Sequence, residues 1–178
     1  MITPDHRSTV RASVAAHGPA NAREERSRRL LLAVLDQLPK PFDRSAQPAH
    51  VTGSAVVVGP RGTILHLHRR LRRWLQPGGH VDAGEAPWDA ALRETQEETG
   101  LDVRHPGLPV LLHVDVHAAG PHVHHDLRYL LEVEEDADPS PGAGESPEVR
   151  WFAWEDALAV ADEALLGALH AARRRSPH

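Results

Sequence analysis

The sequence predicts an α/β/α sandwich, a β-sheet covered by helices on both sides, with an extra helix at the amino terminus. Three observations predict it. Strand-like and helix-like runs alternate along the chain, which favours a sheet with helices on its faces. Leu31, Val34, Leu35 and Leu38 recur at i, i+3, i+4 and i+7, the stripe of one amphipathic helix. Residues 86–99 read as a second helix, with Gly100 where a helix-ending glycine belongs.

Residues 1–20 carry Pro, Gly, Ser and scattered charge without periodicity and read as a loose arm. Asn21 followed by Glu24 reads as a capping box, and Pro39 supplies the stop. Residues 1–40 are thus an arm and helix, 41–50 a proline-rich linker, and 51–178 the main domain. That domain opens with "HVTGSAVVVG" and "TILHLH", two β-rich runs around the turn "PRG". A Gly-rich loop leads to the helix over 86–99. Strands are expected over 110–118, 122–134 and within "EVRWFAW", with "EDADPSPGAGESP" as a surface loop. Helices over 156–161 and 163–175 close the chain.

The bulk numbers exclude several classes. At 178 residues the chain is one ordinary domain, long enough to bury a core. A net charge of −5 argues against a general binder of DNA or other nucleic acid, which needs a basic surface. There is no cysteine, so disulfides, thiolate zinc sites and a Cys nucleophile are out. No signal-peptide core is present, and the longest apolar run, Leu30–Leu35, falls far short of the ~20 residues of a membrane span. A cytoplasmic protein with no membrane partner is the expectation.

"RETQEETG", Arg93 to Gly100, sets Glu94, Glu97 and Glu98 on one helical face, at i, i+3 and i+4. Like charges at that spacing cost roughly 0.2–0.5 kcal/mol per pair, so a cation belongs there. Three converging carboxylates suit a hard divalent ion, and Mg²⁺ commonly bridges to substrate phosphates. Arg93, on the flank, can hold one carboxylate in a bidentate pair. The alternative is a solvated helix with its acids in water. Trp88, Leu92, Thr95 and Thr99 form the expected core face.

Upstream, "LQPGGHVDAGE" places a Gly-Gly turn after a strand end, where backbone can approach a metal or substrate closely. Taken together, Gly79 to Leu101 resembles the Nudix box, G-x5-E-x7-R-E-U-x-E-E-x-G-U with U aliphatic. Gly79, Glu85, Arg93, Glu94, Glu97, Glu98, Gly100 and Leu101 match. Thr95 departs, standing where an aliphatic residue is usual; its hydroxyl can bond back to a helix carbonyl.

The resemblance implies a mixed β-sheet and a hydrolase that uses Mg²⁺ or Mn²⁺ to cleave a small-molecule diphosphate, a nucleotide among the candidates. It makes Glu94, Glu97, Glu98 and the Gly79 carbonyl metal ligands. It makes Glu85 a support for the metal shell or its water, and Arg93 the group that orients Glu94. Glu85, Arg93, Glu97 and Glu98 are therefore the catalytic candidates. The general base is open among Asp82, Asp115, Asp126 and Glu148.

Fourteen histidines is a high count. His66 and His68 share a strand face, as do His113, Asp115 and His117, and then His122, His124, Asp126 and Arg128. These faces form either a polar substrate pocket or an ordinary solvated surface; alternating His and Asp can also chelate a transition metal. Asp126 and Arg128, mid-strand, are the substrate-binding candidates. Trp74, just before the Gly-rich loop, is a candidate for stacking a base. The aliphatic stripe of the first helix can dock on its own domain or on a second copy, giving a homodimer. An isopentenyl diphosphate isomerase of this fold is disfavoured, since that chemistry uses a cysteine. A non-catalytic nucleotide-sensing module is the rival reading from another class.

Overall fold

The computed structural model describes residues 6–45 and 48–176. The outer ends of the expected arm and tail, and residues 46–47 of the linker, lie outside the described residues. The elements in order are α1 (His6–Ala16), α2 (Ala22–Gln37), β1 (Ala49–Val58), β2 (Thr63–Leu67), β3 (Trp74–Leu75) and β4 (Gly78–His80). There follow α3 (Pro87–Thr99), β5 (Leu111–Ala119), β6 (His122–Glu132), β7 (Val149–Phe152), α4 (Trp154–Val160) and α5 (Glu163–Arg173).

Two sheets form, ordered β4-β1-β6-β5 and β3-β2-β7. The first is mixed: β1 runs parallel to β6, while β4 and β5 pair antiparallel. Side chains alternate across a strand, so β1 feeds two cores. Val51, Ala55 and Val57 pack with Leu127 and Leu131 beneath α1, α2 and α3, where Val10, Val14, Leu31 and Leu35 are buried. Val56 and Val58 pack with Leu130 against Trp154, Leu165 and Leu169 of α4 and α5. This is the sandwich that the sequence predicts. Each fully buried Leu among these contributes ~1.5–3 kcal/mol of transfer energy.

The amino-terminal region departs from the loose-arm expectation: His6–Ala16 is a helix, held by Val10 and Val14 in the core. Periodicity there rests on only two valines, too few to stand out from polar neighbours. Asn21 caps α2, its side chain accepting from the Glu24 N–H at 2.9 Å. The return half of the expected capping box is redirected, because Glu24 accepts instead from the Ala20 N–H. Its other oxygen accepts from the Val114 N–H on β5 at 3.1 Å, and Ser27 accepts from the Val116 N–H at 3.2 Å. So α2 docks on its own domain, covering the free edge of β5 with polar groups that satisfy strand donors.

The Gly-rich segment is also more ordered than a loop. Gly78, Gly79 and His80 form β4 opposite Ser54, Gly53 and Thr52. Ladder bonds need no side chain, so low strand propensity did not prevent pairing. Gly53 also permits a close approach on the helix side. A Cβ there would lie 2.1 Å from the Pro87 carbonyl oxygen, so α3 sits directly on bare backbone. Among the described residues, no helix is long and apolar enough to cross a membrane.

Candidate active site

Helix α3 presents the acidic residues near its carboxyl end, where the helix dipole already places partial negative charge. The loop after β6 relieves some of this. The Ser140 N–H donates to the Thr99 carbonyl and the Gly142 N–H to the Glu97 carbonyl, both at 2.8 Å. Gly100, at φ 68°, turns the chain out of the helix, and its bare Cα admits Ser140. Thr95 is fully buried and its hydroxyl donates to the Ala91 carbonyl at 2.6 Å, the back-bond expected of it. Trp88 and Leu92 are only partly buried, and Ala90 and Ala91 take the core positions against the sheet. The core face is thus rotated slightly from the expected one.

Arg93 ties the acids together. Its Nε donates to Glu85 Oε1 at 2.9 Å and a terminal N–H donates to Oε2 at 3.0 Å. The guanidinium also reaches the His80 carbonyl at 3.0 Å, Glu94 at 3.0 Å and Glu97 at 3.3 Å. These partners raise its pKa further, the Glu85 hydrogen bond most of all. Burial works against ionisation of Glu85, but the Arg93 bonds and the Asp82 N–H prevail and hold it below the usual range. Glu98 goes the other way. Burial, with the charges of Glu94, Glu145 and Glu97 adding, pushes it up to about 8 against the Gly78 N–H that donates to it. Glu94 is raised as well, by burial first and with Arg93 opposing.

The expected metal ligands therefore fall into distinct settings. Glu94 lies over Gly79, where a Cβ would come within 2.4 Å of its carboxyl carbon, so only glycine leaves room for it. Glu98 is held between the Gly78 N–H and His66, whose Nδ1 is 3.4 Å away. Glu97 stays exposed at the rim. The three acids do not form a group whose ligand atoms all lie within 4.8 Å of one another; among the described residues His50, His80 and His124 form one that does. Mutual repulsion spreads them, and Glu98 is turned to Gly78 and His66 while Glu94 and Glu97 share Arg93. Even so, a cradle of oxygen donors with disfavoured negative charge fits a hard divalent ion.

A cleft of about 790 Å³ adjoins these acids, and Glu94, Glu98, Gly79, His66, Gln76 and Asp126 are among its walls. Same-face residues of β1, β6 and β5 stand in rows beneath it, His50, His124 and His117, then Thr52, Asp126 and Asp115; of these, His117, His124, Thr52 and Asp126 line the cleft. Asp126 accepts from Thr52 at 2.9 Å, Ser54 at 2.7 Å and Arg128 at 2.9 Å. Arg128 is not a wall of the cleft. It is buried, bonding to Asp126, the Ala164 carbonyl at 2.5 Å and Asp115 at 3.4 Å, and so ties β6 to α5. Trp74 is also turned away, edge-on to Phe152 at 4.9 Å and under Arg150 at 5.0 Å.

The solvated-surface reading of the histidine strands fails for several members. His66, His113, Asp115, Asp126 and Arg128 are buried. Burial pushes His66, His113 and His124 down to about 4, with neighbouring positive or imidazole groups adding. Of the general-base candidates, Asp82 is exposed, Asp115 pairs with Arg23 and His117, and Glu148 pairs with Arg72 and Arg150. Asp126 alone of the four lines the cleft. Sequence reasoning missed His50, His80 and Glu145. The first two sit on strands whose neighbours in space are remote in sequence, and Glu145 lies in a loop that composition marks as surface.

The profile of the NUDIX domain matches residues 48–173. The chain belongs to the Nudix family. As such it is an enzyme of the Nudix pyrophosphohydrolase type. It is 32% identical over 112 residues to the asymmetrical bis(5'-nucleosyl)-tetraphosphatase of Caenorhabditis elegans, covering 60% of this chain and 77% of that protein. It is 38% identical over 91 residues to a probable DHNTP pyrophosphohydrolase of Lactococcus lactis, covering 48% of this chain and 55% of that protein. A NUDIX-family hydrolase from Clostridium perfringens superposes with a TM-score of 0.61 at 28% identity, over 71% of this chain and 98% of that one. The matched span includes Gly79–Leu101, the stretch that carries the acids.

Proposed function

We propose that this Nudix enzyme hydrolyses a phosphoanhydride bond in a nucleoside diphosphate-linked or related organic diphosphate, with water attacking phosphorus. The names of two relatives, a nucleosyl tetraphosphatase and a DHNTP pyrophosphohydrolase, support a nucleotide-like substrate. One observation carries the reading: half-buried Glu94 and Glu98, lifted in pKa, line a cleft while Arg93 clamps Glu85 in the ionised state. Carboxylate environments driven apart in this way are typical of sites that divide binding and proton-handling roles.

Nudix proteins generally use a divalent metal. Glu94, Glu97, Glu98 and the Gly79 carbonyl are the groups that would hold Mg²⁺ or Mn²⁺. When bound, such an ion neutralises phosphate oxygens and lowers the pKa of water. Arg93 orients Glu85 and Glu94, and Glu85 supports the shell around them. Asp126, fixed by Thr52, Ser54 and Arg128, presents a carboxylate to the substrate side of the cleft.

A panel of nucleoside triphosphates, dinucleoside polyphosphates, sugar nucleotides and capped RNA, assayed with Mg²⁺ and with Mn²⁺, tests the proposal. Hydrolysis of at least one member, dependent on the metal, is expected. Tight binding without turnover at any metal or pH would favour a nucleotide-sensing module instead.

A further inference from the structure

A second cluster on the cleft is unlike the first in chemistry. His80 on β4, His50 on β1 and His124 on β6 face the same way from three adjacent strands. Their ring centroids are 5.2 Å (His50–His80), 4.9 Å (His50–His124) and 5.3 Å (His80–His124) apart. One nitrogen from each can be chosen so that all three lie within 4.8 Å of one another. His122 and His117 extend the group, at 5.2 Å from His50 and 5.5 Å from His124. Stacking imidazoles on the floor of a cleft costs hydration that apolar side chains would not lose, so packing does not explain the choice.

We propose that His50, His80 and His124 bind one borderline transition-metal ion, Zn²⁺ being the type, as a site separate from the hard-ion site at the glutamates. Neutral imidazole is the commonest nitrogen ligand for such ions, whereas Mg²⁺ prefers oxygen. A tetrahedral ion at roughly 2.0–2.1 Å from each nitrogen needs them about 3.3 Å apart, which modest side-chain rotations supply. His80 and His124 are only partly buried and so can make them. Arg44, on an exposed loop, lies 3.3 Å from His80 Nδ1 and moves aside when that nitrogen turns to the ion. Three protein ligands leave a fourth position for water or a substrate oxygen, as in catalytic rather than structural zinc sites. That position opens on the cleft that Asp126 and Glu98 share. The strands that carry the triad are rigid, since β1 and β6 pair along ten residues, Ala49–Val58 against Val123–Glu132.

The test is Zn²⁺ binding to the full chain in a large excess of Mg²⁺, which saturates oxygen-donor sites, with stoichiometry read by elemental analysis after dialysis. One retained equivalent is expected. His80→Gln and His124→Gln should each weaken it by more than about tenfold, while Glu97→Gln and Glu98→Gln leave it unchanged. Co²⁺ in place of Zn²⁺ should give the intense visible absorption of a four- or five-coordinate nitrogen site, a readout that needs no variant. No retained zinc, a pale six-coordinate cobalt spectrum, or an affinity that follows the glutamates would each overturn the proposal. None of these results bears on whether the glutamate site hydrolyses a diphosphate, which the substrate panel decides by itself.

Discussion

Arg93 and Glu85, eight residues apart, are joined by two parallel hydrogen bonds of 2.9 and 3.0 Å, the fork-to-carboxylate geometry that only arginine offers. Lysine keeps the charge but can supply neither the second parallel bond nor the reach to the His80 carbonyl. Arg93→Lys should therefore lower kcat/KM by about 10–100-fold, the usual cost of losing an orienting partner, with the thermal midpoint little changed. Steady-state kinetics beside circular dichroism checks this. Activity near wild type would show that the clamp does not position the acids.

Two glycines that face each other on β1 and β4 should respond oppositely. A methyl at Gly79 meets only the movable end of Glu94, 2.4 Å away, whereas a methyl at Gly53 meets the Pro87 backbone at 2.1 Å. Gly79→Ala is expected to fold and to lose most activity, because Glu94 is displaced from its cradle. Gly53→Ala is expected to lose about 1–3 kcal/mol of stability by pushing α3 off the sheet. Denaturant midpoints and activity assays on both variants separate the two effects.

Acid should unfold the protein from an unusually high pH. His113 is pushed to about 4, chiefly by burial, with Arg128 adding. The unfolded imidazole takes its proton near the ordinary value of about 6.5. Between those values the unfolded chain binds more protons, so stability is fully present above the window and falls as pH drops through it, by about 3 kcal/mol for this one group. Asp115 continues the trend lower down. Burial opposes its charge, yet His117, Arg128 and Arg23 hold it below the usual carboxylate range. Its contribution is present above the ordinary carboxylate pKa and is lost as pH falls beneath it. Urea titrations across the range should show the first decline, and His113→Gln should flatten it.

Glu24 fastens the amino-terminal helices to the edge of β5. It is buried, with His17 at 2.7 Å and the Val114 N–H at 3.1 Å. Glu24→Ala leaves these groups without a partner and should cost about 1–3 kcal/mol for each donor stranded in the interior. Hydrogen exchange should quicken first at Val114 and in α2; uniform protection would show that the helices are held without Glu24, by the apolar core and the Ser27 and Arg23 contacts.

What could be read from the sequence follows from range. The back-bond of Thr95, the Asn21 cap and the Gly100 turn depend on neighbours within four residues, and their chemistry was visible in the letters. So was the family resemblance, since Gly79 to Leu101 is one continuous stretch. The burial of Asp115 and Arg128 was not visible, because it depends on Arg23 and Ala164, brought in by helices at the two ends of the chain. The same holds for His50 and His80, which meet His124 only once β4, β1 and β6 align. Trp74 misled for a related reason: adjacency to the Gly-rich loop does not say which way a strand residue faces.

The central claim is that the acids on α3 work as a phosphate-cleaving unit, and Glu98, half-buried in the wall of the cleft, is the point at which to strike it. Phosphate release from the best panel substrate should be measured for wild type and Glu98→Gln at matched Mg²⁺, with folding monitored in the same samples. A folded variant slowed by at least about 100-fold is the expected result. Full turnover by a folded Glu98→Gln would contradict the account.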